Sequence, residues 1–287
     1  MKPFFKNYLA LSVSAMLVSP IFSAMAIDSV DFVPDQTFTQ GVEGPVFGTD
    51  NRLYAVNFKE EGTIGVVSAQ GQAELFVTLP KGSTGNGLQF DSQNNLYVAD
   101  YSGHNILKIA ANSQTVSVFA HNSLFNQPND IAITASGVLF ASDPNWAQST
   151  GQLWRINTDG TSRLLEAHMG TTNGIAVSTD QTRLYVNESI QRKVWVYDLD
   201  AEHQLSNKRL FIEFDDHGLD GMRTDKSGNL YIARYGSGTV IKVSPDGKII
   251  KTFQLKGQFP TNVALNKAQD RLYVTMQKRG AIEVVTL

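Results

Sequence analysis

No cysteine occurs anywhere in the 287 residues. A disulfide framework, a thiolate nucleophile and cysteine-held metal are excluded, so stability must come from the packed core. Basic charge is not in excess either: 24 Lys and Arg stand against 27 Asp and Glu, a formal net charge of −3. Nucleic acid, whose binding rests on neutralising phosphates, is a poor partner for such a chain. The H-E-x-x-H, G-x-S-x-G and phosphate-loop patterns are absent, which removes the zinc-protease, α/β-hydrolase and nucleotide-hydrolase motifs. "YGSGT" at 235–239 holds a G-x-G, but no helix pattern follows and it reads as a turn. His104, His121, His168 and His203 show no pairing at metal-ligand spacing. No low-complexity stretch or Pro/Ser-rich linker marks a second domain.

Long apolar runs are scarce too, and the one that stands out is at the start. Lys2 and Lys6 precede an apolar run from Tyr8 to Val18, and Ala24-Met25-Ala26 closes the segment. The run is 11 residues long and is followed by Pro20, short of the ~20 needed to span a bilayer. The pattern is that of a secretory signal peptide over residues 1–26, with cleavage after Ala26. Residues 27–287, 261 in all, then form a mature domain with formal charge −5 once Lys2 and Lys6 are gone. The expected location is the periplasm or the medium, with no membrane contact after cleavage.

What the sequence has in abundance is repetition. Six segments align: "EGPVFGTDNRLYAVN" from Glu43, "NGLQFDSQNNLYVAD" from Asn86, "NDIAITASGVLFASD" from Asn129, "NGIAVSTDQTRLYVN" from Asn173, "DGMRTDKSGNLYIAR" from Asp220 and "NVALNKAQDRLYVTM" from Asn262. Their starts are 43, 43, 44, 47 and 42 residues apart. A period of roughly 40–45 with short strand-like runs predicts an all-β fold, a six-bladed β-propeller with four strands per blade. The sixth unit lacks a strand before the chain stops at Leu287. "SVDFVPD", residues 29–35, is expected to supply it and close the ring, leaving no open sheet edge.

In a propeller, equivalent positions of the innermost strands surround one channel mouth. The leading residues Glu43, Asn86, Asn129, Asn173, Asp220 and Asn262 each carry a side-chain oxygen. Asn and Asp also favour strand-entry turns, a reading that suits Asn86 and Asn262 but not Glu43. Two carboxylates with several amide oxygens, and no His or Cys, suit a hard divalent cation, calcium before magnesium or zinc. Fourteen residues after each lead come Asn57, Asp100, Asp143, Asn187, Arg234 and Met276, expected beside the ion at larger radius. Two readings stand for Arg234: contact with a substrate anion or carbonyl, or an ion pair with Asp143 or Asp100. Trp146 either walls a pocket or lies on the surface. His217 either moves a proton or is a solvated loop residue.

"EGPVF", "QPNDIAI", "TNGIAVS", "LDGMRTD" and "YIARYGSGTVIKVSPDGK" resemble the regucalcin and gluconolactonase family of six-bladed propellers, also called the senescence marker protein-30 or LRE-like family. The resemblance covers the chain beyond the leader, with a more distant likeness to paraoxonases and diisopropylfluorophosphatase. It implies that Glu43, Asn173 and Asp220 hold a divalent metal, often calcium, with Asn129 beside it. In sugar-lactone members an Arg stands two residues before that Asn; here the position is Gln127, which puts an aldonolactone substrate in doubt. Leu219 replaces the family's Pro before "DG". The implied function is calcium-dependent hydrolysis of a lactone or related ester, with Asp220 as ligand and base or nucleophile. Asn129, Gln127, Arg234, Asp143, Trp146 and His217 are the expected substrate-side residues. The alternatives are a non-catalytic propeller holding a small anionic ligand or a protein, or organophosphate hydrolysis. A monomer is expected.

Overall fold

The computed structural model describes Met1, residues 26–111 and residues 113–287. The expected signal peptide therefore lies, apart from its first and last residues, outside the described residues. Six four-stranded antiparallel sheets account for the strands, and the only helical element among the described residues is a short 3-10 turn, Gln277–Arg279. Each sequence repeat makes one blade. Blade two, for example, runs through Gly85–Phe90, Leu96–Asp100, Asn105–Ile109 and Val116–His121, each strand paired with the next.

Blade six is assembled from both ends of the described chain. Pro260–Leu265, Arg271–Met276 and Ala281–Thr286 come in order, and Ser29–Val33 completes the sheet as its outer strand. Ser29 lies opposite Val285 and Val33 opposite Ile282, with a bulge between. The innermost strand of blade one, Val46–Phe47, contacts the innermost strands of both blade two and blade six. The ring is closed.

Alternation within the "LYV" strands explains why this motif recurs. All four residues of Leu53–Val56 are buried, because both faces of the strand meet a neighbouring blade. Leu53 and Ala55 pack toward blade six with Tyr273 and Ile282, while Tyr54 and Val56 pack toward blade two with Leu88, Leu96 and Val98. Six such clusters fill the six blade interfaces. Each fully buried Leu or Val contributes on the order of 1.5–3 kcal/mol. The Tyr also reaches the end of the blade away from the ring of leading residues: Tyr54, Tyr97 and Tyr231 donate their hydroxyls to Asp50, Asp91 and Asp225 of the adjoining turns, at 2.9, 3.3 and 3.4 Å. With apolar side chains spent on the interfaces, the central channel is left to polar ones.

Candidate functional site

The leading residues sit at or just before the innermost strands, so ring closure brings them together. Glu43, Asn86, Asn129, Asn173 and Asp220 line a cavity of about 370 Å³ at the channel mouth. Asn262 is wholly buried beside Glu43, donating Nδ2 to Glu43 Oε2 at 2.9 Å and to Asp130 Oδ2 at 3.4 Å. The turn role expected for Asn86 and Asn262 is thus only part of the account: Asn86 Nδ2 reaches across to the Asn129 carbonyl at 3.0 Å. Crowding explains the glycines that follow Glu43 and Asp220. A Cβ on Gly44, at φ +56°, would fall 2.1 Å from the Asn86 carbonyl oxygen, and one on Gly221 would fall 1.8 Å from Asn262 Cγ.

Asn129 is followed not by glycine but by Asp130, whose carboxylate fills the space that Gly87 leaves in the next blade. Asp130 is fully buried, paired with Arg223 Nη1 at 3.0 Å and bonded by Ile131 N at 2.9 Å. Sequence reasoning did not anticipate this inner ion pair. The residue-glycine pairing breaks at Asn129-Asp130 and at Asn262-Val263, and only the first break introduces a charge.

Electrostatically the mouth is strained. Burial raises the Asp220 carboxyl well above its ordinary value and the Glu43 carboxylate adds to it; burial likewise raises Glu43, and Asp130 adds to that. Asn129 Oδ1 and Asn173 Oδ1 are buried without any donor, a costly condition for polar atoms. Two acids pushed toward neutrality beside two orphaned amide oxygens are what a hard cation would relieve. Among the described residues no three His, Cys, Asp or Glu side chains gather to hold a metal. An ion here would therefore draw on the asparagine oxygens as well as Glu43 and Asp220.

Of the expected substrate-side residues, Asn129 and Trp146 line the cavity, and Gln127, Asp143, Arg234 and His217 do not. Asp143 is a loop clamp: it accepts from Asn126 N at 2.9 Å, Gln127 N at 2.6 Å and Trp154 Nε1 at 3.0 Å. Arg234 pairs with neither Asp143 nor Asp100. Its guanidinium lies 3.9 Å over the Phe214 ring and bonds the Asp216 carboxylate at 2.7 Å. His217 is exposed next to Asp216, its Nε2 3.8 Å from that carboxylate. Burial raises the Tyr101 phenol, and the nearby Gln127 side chain opposes that shift.

Five of the six residues 14 after each lead, all but the apolar Met276, tie down neighbouring loops. Asn187 Nδ2 holds the Asp220 carbonyl at 2.6 Å, and Asn57 Nδ2 holds the Gly41 carbonyl at 2.7 Å. The cavity wall comes instead from the next position. Tyr101, Tyr235 and Gln277, each 15 after its lead, line it, with Ser189 one step further in blade four. Side chains alternate along a strand, so an offset of one residue changes which side they face.

A ring of oxygens over the axis of a six-bladed propeller, walled by the turns between second and third strands, defines a class of protein with a polar central cavity. Residues 42–278 match the family described as "SMP-30/Gluconolactonase/LRE-like region", and the chain belongs to that family. It is 30% identical over 189 residues to a gluconolactonase of Zymomonas mobilis, covering 58% of this chain and 52% of that protein. It is 24% identical to the diisopropyl-fluorophosphatase of Loligo vulgaris over 93% of this chain and 92% of that one. The chain spans about half the length of the first two curated relatives it matches. The solved structure described as a calcium-binding protein, regucalcin, from Agrobacterium tumefaciens has a TM-score of 0.79 at 22% identity, covering 92% of this chain and 95% of that one.

Proposed function

We propose that the protein is a metal-dependent hydrolase of a lactone or related ester, with calcium as the ion. The observation that carries this reading is the pair of orphaned oxygens, Asn129 Oδ1 and Asn173 Oδ1, beside the two raised acids of a cavity whose family includes lactonases. Glu43, Asn129, Asn173 and Asp220 would hold the ion. Bound there, a divalent cation supplies Lewis-acid polarisation of a carbonyl oxygen. Asp220 keeps part of its surface open to the cavity and serves as general base. It takes a proton from water as the water oxygen bonds to the carbonyl carbon, and returns it to the ring oxygen as the carbon–oxygen bond breaks. Asn187 holds the Asp220 carbonyl and so fixes the loop that aims the carboxylate.

The test is turnover of a panel of lactones and aryl esters by purified protein, with calcium and then with chelator. Activity that chelator abolishes and calcium restores is expected. A silent panel in both conditions, with calcium bound by calorimetry, would count against the reading. Fluorophosphate hydrolysis is a second reading, favoured by the nearly full-length match to the Loligo enzyme, and the same panel should include that substrate. We further place the protein outside the cytoplasm, on the strength of Lys2, Lys6, the short apolar run and Ala24-Met25-Ala26. N-terminal sequencing of the periplasmic fraction should begin at Ile27; a cytoplasmic protein beginning at Met1 would overturn this.

A further inference from the structure

The walls of the cavity narrow the substrate in a way the oxygen floor does not. Among the described residues, no Lys, Arg or His lines it. Several of its polar groups are already engaged. Gln277 Oε1 accepts from the Tyr235 hydroxyl at 2.6 Å, Asn86 Nδ2 donates to the Asn129 carbonyl at 3.0 Å, and the Thr261 hydroxyl donates to the Val42 carbonyl at 2.9 Å. A fixed carboxylate, sulfonate or phosphate would find no side-chain cation on the wall. Held against the wall, away from the oxygen floor, such a group would lose hydration without replacement.

Aromatic surface is what the wall offers. Tyr101 belongs to blade two and Tyr235 to blade five, which are opposite each other in a ring of six, and Trp146 stands on blade three next to Tyr101's blade. Tyr235 is braced by Phe259, 5.2 Å between ring centroids, and by its bond to Gln277. A ring held on two sides loses little freedom on binding, and stacked or edge contacts add affinity beyond area alone.

We propose that this cavity, read as the hydrolase site above, takes an uncharged lactone with a flat aryl or alkyl face. The ligand is held between Tyr101 and Trp146 on one side and Tyr235 on the other, and lactones that carry an anionic substituent toward this wall, or that lack a flat apolar face, are disfavoured. The resemblance to sugar lactonases would lead elsewhere; the wall residues of this chain lead here.

The experiment uses lactams, which occupy a lactone site without being turned over. The full chain with calcium is titrated calorimetrically with dihydroquinolinone, with gluconolactam and with a carboxylate-bearing lactam, and turnover of the matching lactones is assayed in parallel. The aryl lactam is expected to bind at least about tenfold more tightly than the other two. Trp146→Ala should lose roughly that factor and Trp146→Phe recover most of it, with circular dichroism confirming that both variants fold. Tight aryl-lactam binding without turnover of any lactone would keep the aromatic slot and remove the hydrolase reading. Gluconolactam binding as tightly as the aryl lactam, with gluconolactone turned over, would overturn the slot and keep the hydrolase. Failure of all three lactams to bind would also overturn the slot.

Discussion

Asp220→Asn keeps the side chain's size and removes both a negative charge and the group assigned as base in the proposed reaction. Calcium affinity should fall in calorimetry and lactone turnover should fall by about a hundredfold or more. Folding should survive, because the blades close through their strands and because a carboxyl held above its ordinary value by burial is no aid to stability. A variant that binds calcium and turns over substrate like the parent would sink the metal-centred reading. The inner pair behaves differently. Asp130 and Arg223 have side-chain exposures of 1% and 13%, and Asp130→Leu strands the guanidinium inside the channel. Removing one partner of a buried pair costs about 3 kcal/mol or more, so the urea midpoint should drop clearly. An unchanged midpoint would show that the pair is solvated. That Glu43 and Asp220 meet at one mouth was legible from residue type and register; that Asp130 pairs with Arg223 there was only hinted at by the missing glycine, because a single Asp after Asn reads as turn chemistry.

At the scale of elements, the strand Ser29–Val33 is where the ring is sealed, and ion pairs reinforce the seal. Arg279 bonds Asp31 at 2.8 Å, Asp35 at 2.5 Å and Glu283 at 2.5 Å, and Lys256 also bonds Asp31. Lys256 first and Arg279 with it hold Asp31 below its ordinary value. A depressed carboxylate contributes stability above its unfolded value, and that contribution is lost as pH falls through the folded one. Amide exchange of residues 29–33, corrected for its intrinsic pH dependence, should therefore rise relative to the other blades below about pH 4. The effect is modest, because these groups are partly exposed and screened. Uniform exchange across blades at low pH would argue against it. Deleting residues 27–35 should expose the edge of Ala281–Thr286 and produce light-scattering aggregates. The missing strand was visible in the sequence as a deficit in the sixth repeat. The Arg279 cluster was not, since its partners Asp31 and Asp35 lie more than two hundred residues away.

For the whole molecule, six similar interfaces in a closed ring share the load, and no blade stands without two neighbours. Trp154 is fully buried between blades two and three, edge-on to Phe125 at 4.9 Å, with its indole N–H on Asp143. Trp154→Ala should cost about 3–5 kcal/mol and shift a single transition, with fluorescence and far-ultraviolet dichroism coinciding in urea. Separate transitions by the two probes would mean that blades unfold independently.

Period and alternation are local properties, readable without any knowledge of distant contacts. Through them the sequence alone determined six units, four strands in each, the N-terminal strand in the last blade, and six oxygen-bearing residues at one mouth. Only the tertiary structure decided which side chains face the cavity beyond that ring. Position 15 rather than 14 after the lead supplies Tyr101, Tyr235 and Gln277, because a strand's sidedness at its exit depends on how the next turn bends. Arg234 went to Asp216 and Phe214 rather than to Asp143 or Asp100, because a long flexible side chain takes whichever partner the neighbouring loop presents. The pairing of Asp130 with Arg223 and the exposed place of His217 are of the same kind. They depend on contacts between distant repeats, where distance in space is unrelated to distance along the chain.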